Sequence, residues 1–227
     1  MTTIQPYNKY QFGAVSALTE QQMHQMIDCF ETPGVSSQDV LEGRASVSTI
    51  DLKNIGRVVV RNYRRGGLLR HFNKKTYLKL CDYRCRSEFE LLQHLEKIGI
   101  CVPHPVAFAY QCILSTFFYR AWLITKEISN ACTLAHLSVT VPDRIRPVMN
   151  NLTRQISVLL ENHIHHVDLH PGNVLVDAAD RVFIIDFDKA RTNQKNHLRL
   201  RKKYRERWQR AVLKYNLPSI LNEIIIP

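Results

Sequence analysis

The chain has 227 residues, 45% apolar and 22% charged, which excludes a disordered or low-complexity protein and leaves room for one large domain or two small lobes. Lys and Arg outnumber Asp and Glu 31 to 20, and the net charge of +11 calls for an anionic partner: nucleic acid, a membrane surface, or a phosphorylated or carboxylated substrate. Six scattered cysteines without a CxxC pair argue against a zinc ribbon and fit a reduced, cytosolic protein.

The opening MTTIQPYNKYQFGAV lacks a basic-then-apolar signal pattern. Residues 19–30 have a helical pattern and Thr32, Pro33 and Gly34 read as a loop, so residues 1–40 are expected to form an N-terminal extension. Strands over 45–50 and 57–61, the second holding Val58, Val59 and Val60, flank a turn at 53–56 and make a hairpin. Arg64, Arg65, Gly66 and Gly67 end it. A helix is expected over 87–98, capped by Ser87 and stopped by Gly99, with the stripe Leu91, Leu92, Leu95 and Ile98. Glu88 lies four residues before Leu92, on that inward stripe. It is either paired with a buried cation or a first-turn acid favoured by the helix dipole, and the helix alone leaves both open.

The most apolar window, 106–125, is interrupted by Gln111, Ser115 and Arg120, so it reads as core strands over 106–114 and 118–125 and not as a bilayer span. After Ser129 the period becomes helical, with Ile145, Val148, Met149, Leu152, Ile156, Leu159 and Leu160 recurring over 142–162. A loop, strands over 174–176 and 182–185 with a turn at 177–180, and a basic helix over about 196–215 complete the chain. Strands around one helix, followed mostly by helices, predict a two-lobed α+β protein with a cleft between its lobes. The expected division is an extension at 1–40, a strand-rich N-lobe at 41–128 and a helical C-lobe at 129–227.

The stretch HHVDLHPGNVLVDAADRVFIIDFDKA, 165–190, crowds acids against strand cores, where a carboxylate is costly without compensation. Asp168 and Asn173 flank a loop holding Pro171 and Gly172, and the hairpin returns Asp186 beside it. Oxygens of Asn173 and Asp186 suit Mg²⁺, a hard cation. Asp168 is left to accept a hydroxyl proton, the division of labour in phosphoryl transfer from ATP. Asp177 and Asp180 read as turn residues.

These residues resemble the protein-kinase superfamily. His166, Val167 and Asp168 through Asn173 are similar to H-R-D-x-x-x-x-N, and Asp186, Phe187 and Asp188 to D-F-G. Arg61 falls at the place of the V-A-I-K lysine and Glu88 at that of its helix partner. The resemblance implies a protein-kinase-like fold, with Arg61, Glu88 and Asn173 serving ATP. Several departures argue against a regulated protein kinase. Arg61 stands for the lysine, Val167 for the catalytic-loop arginine and Asp188 for the glycine. Neither A-P-E nor G-x-G-x-x-G occurs, and the turn at Gly43 is a weak phosphate-covering candidate. The adenine-contacting hinge is expected near 126–128.

The runs 58–68, VVVRNYRRGGL, and 185–190, IDFDKA, resemble the 3-deoxy-D-manno-octulosonic acid (Kdo) kinase and lipopolysaccharide core kinase family over roughly residues 40–215. That resemblance implies ATP- and Mg²⁺-dependent phosphorylation of a Kdo hydroxyl on lipid A. It implies a peripheral location at the cytoplasmic face of the bacterial inner membrane. Other readings are a heptose kinase, an aminoglycoside-phosphotransferase-like enzyme or a RIO-like protein kinase. The acceptor would be anionic, and Arg64 and Arg65 either reach it or form an exposed turn.

The basic helix carries Leu200, Tyr204, Trp208, Ala211 and Tyr215 as a stripe, either against lipid or against the lobe, and both can hold if the stripe packs on the lobe while the charges face lipid. His163 with Asp168 matches a short acyltransferase pattern that leaves Asn173 and Asp186 unexplained. His163, His165, His166 and His170 lack the Cys or Glu that would complete a zinc set. His166 is expected to prop the loop by a hydrogen bond, and His170 to lie near the transferring phosphate. No nucleic-acid motif appears, and no protein partner is called for. An inactive scaffold is a further rival, although base and metal ligands are all present.

Overall fold

The computed structural model describes residues 2–32, 47–63, 77–78, 83–113, 118–223 and 226. The expected sites at Gly43, Arg64, Arg65, Gly66 and Gly67 lie outside them. The chain forms two compact units, Met1–Leu91 with His104–Glu127, and Leu92–Pro103 with Ile128–Pro227.

The first unit is built on one antiparallel sheet. Its strands are β1 (Thr3–Tyr7), β2 (Tyr10–Ala14), β3 (Val47–Leu52), β4 (Gly56–Asn62), the short β5 (Tyr77–Leu78), β6 (Pro105–Ile113) and β7 (Phe118–Lys126). The order is β1-β2-β6-β7-β4-β3, with β5 also on β7. Helix α1 (Glu20–Glu31) is capped by Thr19, whose side chain and that of Gln22 form a reciprocal capping box. Met23, Met26 and Ile27 of α1 join Phe12, Val58, Val60, Trp122 and Ile124 in one core. Phe30 stacks on Trp122 with centroids 4.4 Å apart.

The two-residue period of a strand sends Val58 and Val60 into this core and Arg61 to the opposite face. There Phe89 of helix α2 (Arg84–Lys97) meets Phe108 edge to face at 5.2 Å. Phe108 sits opposite Gly13, where an added Cβ would lie 2.1 Å from the ring. Gly13 therefore makes room for that aromatic layer.

Two expectations change here. The N-terminal segment is no extension: β2 pairs with β6 from Gln11↔Tyr110 to Ala14↔Ala107, and α1 covers the core. Asn8, between β1 and β2, has a φ of 52° that suits a tight hairpin turn. Helix α2 starts at Arg84, so Ser87 is not its cap; its hydroxyl donates to the Tyr83 carbonyl. Gly99, with φ of 84°, does end the helix.

The second unit pairs a small sheet with helices. Strands β8 (Cys132–Thr133), β9 (Val174–Val176) and β10 (Val182–Ile184) are ordered β10-β9-β8. Helix α3 (Leu134–Thr140) is capped by Thr133. A 3₁₀ turn, Pro142–Arg144, leads into α4 (Ile145–Glu161), whose seven expected apolar positions are all buried. Gln155 is also buried there, with its Oε1 accepting from the Cys101 amide at 2.9 Å and its Nε2 donating to the Val182 carbonyl at 2.8 Å. The last helix, α5 (His197–Lys214), is capped by the Asn196 side chain. The unit boundaries move residues 92–103 from the expected N-lobe into the helical unit.

Candidate active site

In the first unit, Arg61 of β4 and Glu88 of α2 form an ion pair through Nη2 and Oε2. The Glu88 side chain is only 2% exposed. Of the two readings of Glu88, the buried pair is the one the structure contains. Tyr63 completes it, with its hydroxyl donating to Glu88 Oε2 at 2.5 Å and accepting from Arg61 Nη2 at 3.2 Å. The Arg61 guanidinium also lies over the Tyr63 ring, 4.9 Å from its centroid. These contacts fix one edge of a permanently charged, planar donor. At the expected hinge, Glu127 pairs with Arg57 at 3.0 Å.

In the second unit, the loop 165–173 is pinned at each end. His165 and Arg191 exchange backbone hydrogen bonds of 2.8 and 3.0 Å. The His166 amide donates to the Tyr204 hydroxyl at 2.9 Å, and that hydroxyl donates to the Ile164 carbonyl at 2.8 Å. His166 Nε2 bonds the Ile185 carbonyl at 2.9 Å, and its ring meets Phe187 at 4.5 Å. Burial pushes the His166 imidazole down, against the Ile185 carbonyl and the Asp186 and Asp168 charges, so it props the loop as a neutral ring. His170 is buried, and its Nδ1 accepts from the Gly172 amide at 3.1 Å.

Asp168 occupies a turn, with its side chain 47% exposed. Its backbone carbonyl accepts from Asn173 Nδ2 at 3.0 Å. That bond leaves the amide oxygen of Asn173 without a partner among the described residues, facing the chemistry of a cation ligand. The Ile185 amide donates to the Asn173 carbonyl at 3.0 Å, tying the end of β10 to the loop just before Asp186. Asp186 has a φ of 66°, a left-handed conformation that Asp tolerates and that clusters at functional sites. No three His, Cys, Asp or Glu side chains gather as a metal set among the described residues. The amide oxygen of Asn173 and the carboxylate of Asp186 are hard oxygen donors, a type that fits Mg²⁺ completed by water and phosphate.

Asp177 and Asp180 serve the turn. Asp177 Oδ1 accepts from the Ala179 and Arg181 amides, both at 2.9 Å. Burial raises the Asp177 carboxyl, but those amides and the Arg181 side chain outweigh it and hold it below its usual range. Arg144 pairs with Asp180 at 2.7 Å.

Sequence reasoning missed Tyr63, Tyr204 and Arg207. Arg207 of α5 brings Nε to 2.7 Å and Nη2 to 2.6 Å of Asp168 Oδ1. Tyr63 carried a local signal, two residues past Arg61 on the same strand face. Arg207 and Tyr204 lie 39 and 38 residues from their partners, beyond any spacing rule. The stripe positions Leu200, Tyr204, Trp208 and Ala211 are buried, with Tyr204 and Trp208 each 1% exposed, so these side chains are core and do not face lipid.

The model of the lipopolysaccharide kinase (Kdo/WaaP) family matches residues 36–219. A 3-deoxy-D-manno-octulosonic acid kinase from Vibrio parahaemolyticus is 32% identical over 67% of this chain and 63% of its own length. One from Vibrio vulnificus is 31% identical over 76% and 79%, and one from Xylella fastidiosa 31% identical over 65% and 58%. The chain thus spans less than two thirds of the first and third of these relatives. Among solved structures, WaaP in complex with acyl carrier protein aligns over 83% of this chain and 75% of its own, with a TM-score of 0.52 and 18% identity. That likeness shows the fold, a kinase-like α+β architecture.

Proposed function

The chain belongs to the lipopolysaccharide kinase (Kdo/WaaP) family, and from that premise we propose that it transfers the γ-phosphoryl group of ATP to a hydroxyl of a Kdo sugar on lipid A. One observation carries the reading: a half-exposed Asp168 carboxylate on a loop whose backbone is held by Tyr204, His166 and Asn173. Phosphoryl transfer asks the protein mainly for positioning and charge, and this loop supplies positioning.

In the proposed reaction Asp168 accepts the proton of the attacking hydroxyl. The bond from that oxygen to the γ-phosphorus forms as the bond to the β-phosphate oxygen breaks, and ADP leaves. Asn173 and Asp186 would hold magnesium, which when bound neutralises phosphate charge. In the first unit, Arg61 is read as a phosphate ligand held by Glu88 and Tyr63, with Gly43 as a covering turn. The net charge of +11 supports an anionic acceptor.

A peripheral site at the cytoplasmic face of the inner membrane is supported by α5. Arg199, Lys202, Arg205 and Arg210 are exposed, as are Leu198 and Leu213. No helix among the described residues is long and apolar enough to cross a membrane. At about 1 kcal/mol per basic residue near anionic lipid, neutralising those four should weaken vesicle binding by roughly three orders of magnitude at low salt. Salt-independent binding, or binding unchanged by the substitutions, would remove α5 as the contact.

The function is tested by an acceptor screen with labelled ATP and Mg²⁺. Label should pass to Kdo-lipid A with the native chain and not with a folded Asp168→Ala variant. Transfer only to heptosylated core, an aminoglycoside or a generic protein would replace the acceptor, and full activity of Asp168→Ala would remove the base. The WaaP neighbour was solved with acyl carrier protein; turnover by the single purified chain tests whether this one needs a partner.

A further inference from the structure

The ion pair between Arg207 and Asp168 has an unusual shape. Guanidinium and carboxylate commonly meet as a fork, two parallel bonds to two oxygens. Here Nε and Nη2 both converge on Oδ1, at 2.7 and 2.6 Å. Oδ2 has no partner among the described residues, and the carboxylate remains 47% exposed. The arginine is 23% exposed, and its helix is fixed on either side of it. Tyr204, three residues earlier, bonds His166 and Ile164, and Trp208 Nε1 donates to the Leu221 carbonyl at 2.8 Å. One face of α5 therefore holds both the backbone and the side chain of the loop.

We propose that Arg207 is a positioning residue for phosphoryl transfer: it anchors Oδ1 of Asp168 and so assigns Oδ2 as the oxygen that receives the acceptor's proton. This rests on the reading of Asp168 as the base. A carboxylate held only at its backbone, by Asn173 on the carbonyl, is free to turn about its last two side-chain bonds. A second anchor on one oxygen stops that rotation and leaves the other facing outward. An inhibitory lock would occupy both oxygens; this contact occupies one. The pair is also a like-for-like compensation: Asp168 neutralises one cation of a strongly basic helix while the helix orients the acid.

Misplacing a reacting group by about 1 Å costs roughly 10²-fold in rate. Arg207→Gln should lower kcat by about 10²-fold with KM for ATP within about twofold, because the side chain acts through Asp168. Arg207→Lys, which keeps one donor and the charge, should recover about tenfold of that loss. In an Asp168→Asn background, Arg207→Gln should change residual single-turnover transfer by less than about twofold. A folded Arg207→Gln variant with native kcat, or a full loss persisting in the Asp168→Asn background, overturns the proposal. A crystal structure of Arg207→Gln or Arg207→Lys reads the anchor without turnover. The glutamine variant should show the Asp168 carboxylate turned from its native position, the lysine variant should not, and an unmoved carboxylate in the glutamine variant overturns the proposal as well. Absence of transfer by the native chain to every acceptor would instead sink the kinase reading, and the crystallographic result would still decide the anchor.

Discussion

Removing one oxygen atom, in Tyr204→Phe, tests whether α5 holds the candidate catalytic loop. The phenol is 1% exposed, and burial pushes its ionisation up against the opposing bond from His166, so the hydroxyl remains a donor. It accepts from the His166 amide at 2.9 Å and donates to the Ile164 carbonyl at 2.8 Å. Ile164 and His166 are each 1% exposed. Phenylalanine keeps the ring, and with it the edge contact to His165 at 5.6 Å, but orphans both buried backbone groups. Each orphan costs about 1–3 kcal/mol, so the change should destabilise by roughly 3 kcal/mol. For a chain of this length about 1 kcal/mol moves Tm by some 2–4 °C, which predicts a fall of roughly 6–12 °C. The chain has two compact units, so calorimetry is preferred to a single optical probe, and the shift belongs to the transition of the helical unit. Amide exchange at His166 should accelerate in parallel. A Tm within about 1 °C of native, with His166 exchange unchanged, would falsify the clamp.

Three further outcomes follow from buried groups. Glu88→Gln leaves Arg61 and Tyr63 around an uncharged partner, and breaking a buried pair costs roughly 3–5 kcal/mol; with Arg61 19% exposed, about 3 is expected by denaturant titration, and a change below about 0.5 contradicts the pair's burial. Gly13→Ala places a methyl 2.1 Å from the Phe108 ring, which is 0% exposed. Overpacking of that kind costs about 1–3 kcal/mol, and Phe108→Leu in the same chain should recover much of it; equal stability of Gly13→Ala and native protein would refute the close approach. Burial, aided by the charges of Lys203, His166 and Arg191, pulls His165 from 6.5 down to about 4. The unfolded chain then binds the extra proton between those values, so stability is complete above pH 6.5 and falls as pH drops towards 4. The loss is on the order of 1–2 kcal/mol after solvent screening. His165→Gln should flatten that slope, and an unchanged acid slope would assign it to other groups.

The legible parts of the chain were those whose cause is local. The stripe of α4 and the alternation of Val58, Val60 and Arg61 follow from the periods of helix and strand, and each side chain faces as those periods dictate. The loop 165–173 and the hairpin that returns Asp186 were legible because turn residues and spacing are also local. The first hairpin was missed because β1 is mostly exposed and carries little apolar signal, with a burial pattern of two exposed residues, then half-buried, exposed and half-buried. Only its pairing through β2 to β6 brings it into the sheet. Helix α3 falls in the helical stretch expected after Ser129 but was not singled out there, because Leu134–Thr140 is under two full turns.

The basic helix shows why the site was only partly legible. Its composition describes a membrane-surface helix equally well as a helix that holds a loop, because charge and amphipathicity are sums over residues and positioning is not. Tyr204 and Arg207 stand three apart, so the helical period puts them on one side. From that side they reach His166 and Asp168, which stand two apart on the loop. Exchanging the residues at 204 and 207 would leave composition, net charge and the resemblance to a lipid-binding helix untouched. It would bury a guanidinium against the Ile164 carbonyl and the His166 amide, a donor facing a donor, and set a phenol before the Asp168 carboxylate. The function of the helix therefore lies in the order of its residues along one face, a property that its composition does not carry.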